Sequence, residues 1–179
     1  MPLLGQLLKN LFGVKEEDLN KAIELQREVG GPIGQILIQI GSITENQLIE
    51  ALSKQFDIPL FNGERVEDEG LVASLSDKLD YEFLIKNNFV PLKIDHANKT
   101  LYAATNDPLN YSLFDYVVKG LRYKIHLSLA PEQTLKELSK GYFYEQGKDF
   151  VSLSVEEDTE KLKEMAFEAP VIKYLNGLL

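Results

Sequence analysis

The chain has 179 residues, with 19 Lys and Arg against 28 Asp and Glu, and a net charge of −9. A hydrophobic content of 44% is that of a globular chain, and the acidity disfavours broad binding to phosphate backbones or adsorption to anionic membranes. The absence of cysteine excludes disulfides, thiol nucleophiles, cysteine-ligated zinc and iron–sulfur clusters, and two histidines leave little for imidazole chemistry.

No run reaches the ~18 consecutive apolar residues of a membrane span. The opening segment MPLLGQLLKNLFGVKEEDL has no basic region ahead of its apolar run and meets acids at Glu16, so it does not read as a signal peptide. Residues 1–60 read as helices. From Asp18 to Glu28, Leu19, Ala22, Ile23 and Gln26 recur at helical spacing, and Gly30-Gly31-Pro32 ends that segment. Ile33 to Ile40 is short and apolar enough for a buried strand. Helix is preferred because Ile33, Ile36, Leu37 and Ile40 share a face, with Gly41 as the stop. Thr44 and Gln47 have capping-box spacing and open a helix to Phe56 with Leu48, Ala51, Leu52 and Gln55 on one stripe.

These segments form an internal repeat. LLGQLLKNLFGVKEEDLNKAIELQ (3–26) aligns without a gap on PIGQILIQIGSITENQLIEALSKQ (32–55), 29 positions on. Gly5 falls on Gly34, Leu8 on Leu37, Leu19 on Leu48, Ala22 on Ala51, Ile23 on Leu52 and Gln26 on Gln55. A fixed period means one supersecondary unit used twice, here a short helix, a turn and a longer helix. The two units are expected to pack as a four-helix layer.

Residues 61–145 change character. A helix is expected over Ala73–Lys86, with Leu75, Leu79 and Phe83 inward. Phe89–Ile94 and Thr100–Thr105 read as strands of a hairpin turning at Asp95–Lys99, followed by a helix over Ser112–Val118. Tyr123–Leu129 alternates, with Ile125, Leu127 and Leu129 on one side and Lys124, His126 and Ser128 on the other. Pro131 opens an amphipathic helix, Glu132–Tyr144. The fold class is α+β: a helical repeat subdomain, then a small sandwich of helices on a three-stranded sheet. Residues 146–168, with seven acids and three bases, read as an acidic linker. APVIKYLNGLL (169–179) turns apolar again and reads as the start of a further domain, the chain being a piece of a longer protein.

The sequence has no G-x-x-x-x-G-K-[ST], H-E-x-x-H or G-x-S-x-G motif. His96 and His126 fall in a turn and on the polar side of a strand, where solvated roles suffice. Glu16-Glu17-Asp18 and Asp77/Asp80 read as charges that complement helix N-termini. No enzyme chemistry is expected of this region, and no metal. Phe12, Phe56, Phe61 and Tyr144 are apolar residues equally suited to core or interface.

The repeat, together with FVPLKIDHANKTLYAATNDPLN (89–110) and APVIKYLNGLL, resembles the N-terminal domain of the type II secretion and type IV pilus assembly ATPases. The resemblance covers nearly the whole chain outside the acidic linker. It implies a cytoplasmic module, peripheral to the inner membrane, that docks a motor on an inner-membrane platform protein. It further implies downstream ATPase domains and a homohexamer, with neither nucleic-acid binding nor membrane insertion. Some members bind cyclic-di-GMP through the repeat. By position this implies Gly5, Leu8, Leu19, Ile23 and Gln26, with Gly34, Leu37, Leu48, Leu52 and Gln55, as the ligand-contact set. This chain departs from the family pattern. The motif arginine falls on Leu3 and Pro32, and the mid-motif glycine, Gly41 in the second repeat, falls on Phe12 in the first. Neither Leu nor Pro supplies the planar charge of a guanidinium, so docking is the first expectation and cyclic-di-GMP sensing the alternative.

Overall fold

A computed structural model of the protein describes residues 3–63 and 71–145, with the side chains of 72, 73, 76 and 141–145 aside. The repeat unit appears twice, in register. Helices α1 (Leu4–Phe12) and α2 (Glu16–Val29) are followed by α3 (Ile33–Gln39) and α4 (Glu45–Phe56), so both helix starts recur at the period of the sequence. The buried positions recur too: Leu8 with Leu37, Val14 with Ile43, Leu19 with Leu48, Ala22 with Ala51. The halves then exchange partners, α1 packing on α4 and α2 on α3, which closes one apolar core from two amphipathic pairs.

Where the two copies differ, the residue responsible can be named. Gly41 takes a left-handed φ of 73° after α3, with its N–H on the Ile38 carbonyl and that of Ser42 on Leu37. In the first copy this position is Phe12. The left-handed residue is Gly13, one place later, and α1 runs to Phe12. Thr44 accepts from the Gln47 N–H and Gln47 Oε1 from the Thr44 N–H, completing the capping box. Its counterpart Lys15 makes no side-chain cap. There Glu16, Glu17 and Asp18 complement the helix dipole, and Glu16 pairs with Lys9 at 2.6 Å.

The two repeat glycines are not equivalent in their surroundings. A Cβ on Gly34 would stand 2.6 Å from Leu48 Cδ1, whereas one on Gly5 would meet Leu19 at an ordinary 3.6 Å. Gly5→Ala is therefore expected to stabilise by about 0.5–1 kcal/mol through helix propensity. Gly34→Ala is expected to destabilise by roughly 1–3 kcal/mol through overpacking against buried Leu48. Urea unfolding of the pair checks this, and equal effects of one sign would overturn it.

Beyond the repeat come α5 (Leu71–Ser76), α6 (Tyr81–Lys86), β1 (Phe89–Asp95), β2 (Thr100–Thr105), α7 (Tyr111–Leu121), β3 (Lys124–Leu129) and α8 (Glu132–Glu145). The single helix expected over Ala73–Lys86 is two. Asp80 breaks it by capping α6, its carboxylate accepting from the Phe83 N–H at 3.0 Å. The new start turns Phe83 outward, 43% exposed, against the expectation of an inward position; Leu75 and Leu79 are buried as expected. Gly120 of α7 admits this turn, since a Cβ there would meet Leu79 at 2.5 Å.

The sheet has the order β1-β2-β3, antiparallel then parallel, with a register shift between Pro91 and Lys93. Helices α5 and α6 pack on β1 and α7 on β3, which is the α+β arrangement the sequence implies. The expected boundary near residue 60 falls on chain that pairs with the sheet. Leu129 donates to the Pro59 carbonyl and accepts from Phe61 N–H, both at 2.8 Å. Leu129 also lies in the helical core, beside Leu8, Leu37 and Leu52. Glu45, in the first turn of α4, accepts from the Glu132 N–H at 2.8 Å and so serves the N-terminus of α8. Residues 1–139 form one compact unit. Of the following unit, 140–179, the described part is the end of α8. The acidic linker and the apolar segment 169–179 lie outside the described residues, as does the side chain of Tyr144.

Candidate ligand site on the helical repeat

The ten positions singled out by the repeat separate into two groups. Leu8, Leu19, Leu37, Leu48 and Leu52 are buried, and Gly34 is covered by Leu48. They make up the shared core, where each leucine contributes about 1.5–3 kcal/mol of burial. Gly5 is half-buried, and Ile23 is 37% exposed although its counterpart Leu52 is buried. The two glutamines are half-buried and engaged. Gln26 Nε2 donates to the Gly31 carbonyl at 2.7 Å, fastening the connection between the repeats, and Gln55 also has an interaction.

The motif-cation positions are equivalent in structure as well as in sequence. Leu3 and Pro32 each precede the first helix of a unit with extended backbone, φ −72° and −73°, and neither caps it. Leu3 is 68% exposed, and Pro32 is exposed as well. An arginine at either place would reach solvent beside a helix N-terminus; leucine and proline offer neither charge nor donor. Phe12 and Phe56 pack against the core, and Phe61 is half-buried.

Exposed apolar side chains occur in the repeat (Leu3, Leu11, Ile23, Val29) and also on α6 and α7, where Phe83 and Tyr116 meet edge to face at 5.3 Å and Tyr111 and Val118 are exposed as well. The sequence reading did not select the latter group. The available signal is that α7 holds more apolar residues than the stripe Leu113, Val117 and Leu121 uses. His96 Nδ1 lies 3.0 Å from the Tyr123 hydroxyl, and the His126 ring stacks obliquely on Tyr102 at 5.1 Å. Hydrogen bonds from the Asn98 side chain and then its backbone hold the Asp95 carboxyl below its usual range. Among the described residues there is no metal-holding group of three His, Asp or Glu, and no helix long and apolar enough to cross a membrane.

The fold is a tandem helical unit beside a small α+β sandwich, with the repeat leucines turned into a shared core. Residues 56–149 match the MshEN domain family. The chain belongs to that family, the N-terminal domain of the type II secretion and type IV pilus ATPases. It is similar to the type IV pilus assembly ATPase PilB of Myxococcus xanthus (strain DK1622), 32% identical over 98% of this chain and 32% of the relative. PilB of Acinetobacter baylyi (strain ATCC 33305 / BD413 / ADP1) is 28% identical over 93% of this chain and 30% of the relative. The chain thus spans about a third of the length of these relatives. Its fold is that of MshE solved with cdg (TM-score 0.63, 24% identity, 76% of this chain, 96% of that one). The N-terminal domain of XpsE shares it (TM-score 0.59, 17% identity, 76% and 91%). The matching region is the MshEN domain and not the nucleotide-hydrolysing part of these ATPases.

Proposed function

We propose that this chain is the docking and regulatory module of a pilus-assembly or secretion ATPase, holding a cytoplasmic motor to its inner-membrane platform protein through protein contacts. The observation that carries the reading is the pair Leu3 and Pro32: both cation positions of the repeat lack a charge, while the leucines behind them build a core. On this reading the module sits on the cytoplasmic side, peripheral to the membrane, in a hexamer formed with downstream ATPase domains.

The second reading is a cyclic-di-GMP sensor. It is favoured by the likeness to MshE solved with cdg, cyclic-di-GMP, and by the retained pairs Gly5/Gly34 and Gln26/Gln55. Two charge-assisted contacts missing at about 1.5–3 kcal/mol each would weaken such binding by several orders of magnitude. Calorimetric titration with cyclic-di-GMP, with ATP and GTP as controls, separates the readings. The expected result is a flat titration for the natural chain and measurable binding once Leu3→Arg and Pro32→Arg are combined. Saturable micromolar binding by the natural chain, lost on Gln55→Ala, would establish the sensor instead. A parallel capture assay with the cytoplasmic domain of the platform protein is expected to retain the chain, and its failure would overturn docking.

A further inference from the structure

Among the described residues, the three-stranded sheet has one unfinished edge. In a parallel strand the N–H and C=O of a residue point to the same side, and the side alternates along the chain. Lys124 faces β2, its N–H donating to the Lys99 carbonyl at 2.8 Å, and His126 and Ser128 follow in the same phase. Leu129 faces outward, bonded through both groups to the Pro59–Phe61 segment. Two and four residues earlier, Leu127 and Ile125 present the same outward groups, and neither has a partner among the described residues. The opposite edge is blunted, because Pro91 has no N–H and β1 slips register beside it.

The side chains along the open edge have a definite chemistry. Lys124 and His126 are exposed on one face of β3, in cross-strand rows with Thr100 and Asp95, and with Tyr102 and Lys93. Lys99 and Arg122 stand exposed at the start of the strand. The carboxylate in these rows, Asp95, is already bonded through both oxygens to Asn98. On the other face Ile125 and Leu127 are half-buried and apolar. A strand added about 4.8 Å away would set every second side chain beside Lys124 and His126, and the ones between beside Ile125 and Leu127.

We propose that the open edge of β3 at Ile125 and Leu127 accepts, by strand addition, an extended protein segment that alternates acidic with apolar residues. The proposal rests on the docking reading for the existence of a protein partner and adds the edge and the sequence pattern. A protein segment fits better than an anionic membrane. A peptide strand can pair the outward N–H and C=O groups of Ile125 and Leu127, which a bilayer surface cannot, and an overall charge of −9 disfavours a broad anionic surface.

The test is an NMR titration of the isotope-labelled chain with an octapeptide of alternating glutamate and valine, against one of alternating lysine and valine. The acidic peptide is expected to shift the Ile125 and Leu127 amides saturably, to slow their exchange, and to bind more weakly as salt rises. Ile125→Pro removes an outward N–H and no ladder bond, so the fold is retained and binding is lost. Should that variant fail to fold, Lys124→Glu at an exposed position is expected to weaken binding by at least about tenfold. Equal binding of the lysine peptide, shifts confined to other regions, unchanged affinity in both variants, or binding to phosphatidylglycerol vesicles alone would overturn the proposal. A platform domain that captures Ile125→Pro as well as the natural chain would overturn the edge while docking stands. One that captures neither would overturn docking, and the peptide titration would still decide the edge.

Discussion

Leu129→Ala is expected to lower the unfolding free energy by roughly 3–5 kcal/mol, the upper part of the range for a buried leucine. Its side chain is 1% exposed and belongs to the helical core with Leu8, Leu37 and Leu52, while both its backbone groups bond the Pro59–Phe61 segment. Truncation opens a void where helices and sheet meet, and neither layer can close it without moving the other. Urea unfolding followed by circular dichroism and by tyrosine fluorescence should show one transition in both the natural chain and the variant, with a lower midpoint in the variant. A loss below about 1 kcal/mol would mean that the site collapses freely. Two separated transitions would mean that residues 1–60 and 61–145 unfold as independent domains.

Leu37→Ala is expected to destabilise by about 2–5 kcal/mol, because Leu37 is fully buried at the centre of the repeat core. This residue belongs to the ligand-contact set implied by the family resemblance, so the result bears on function. Any ligand or partner binding lost in Leu37→Ala should be recovered in Leu37→Met, which keeps volume and costs under about 1.5 kcal/mol. If Leu37→Met is as stable as the natural chain yet remains defective in binding, Leu37 touches the ligand and its burial is relieved on binding. Chemical denaturation paired with a binding assay on both variants distinguishes these cases.

The helical half of the fold was legible in the sequence because its signals are local and strong. The period of the repeat, the Thr44–Gln47 box and the glycine stops at Gly30 and Gly41 each act within a few residues. The hairpin at Asp95–Lys99 and the start of α8 after Pro131 were legible on the same grounds. The break between α5 and α6 was not. Leu75, Leu79 and Phe83 continue a helical period across it, and only the capping of α6 by Asp80, together with α7 at Gly120, interrupts the helix there. Of the candidate positions, the sequence alone showed that Gln26 and Gln55 are equivalent in the repeat. It did not separate buried aliphatic positions from exposed ones, since Ile23 and Leu52 hold equivalent positions in the repeat yet only Leu52 is buried.

By itself the sequence determined the repeat, the capping box and glycine stops of its helices, the strand alternation, and the lack of a phosphate-loop motif and of cysteine. These depend on residue type at fixed short spacings, where hydrogen bonds and apolar faces are set by the chain's own geometry. Only the tertiary structure decided which helices pair, that Leu129 serves both helices and sheet, that Glu45 completes the N-terminus of α8, and which sheet edge is unpaired among the described residues. Those outcomes depend on contacts between residues far apart in the chain, and burial of apolar surface, being non-directional, does not specify them from pattern alone.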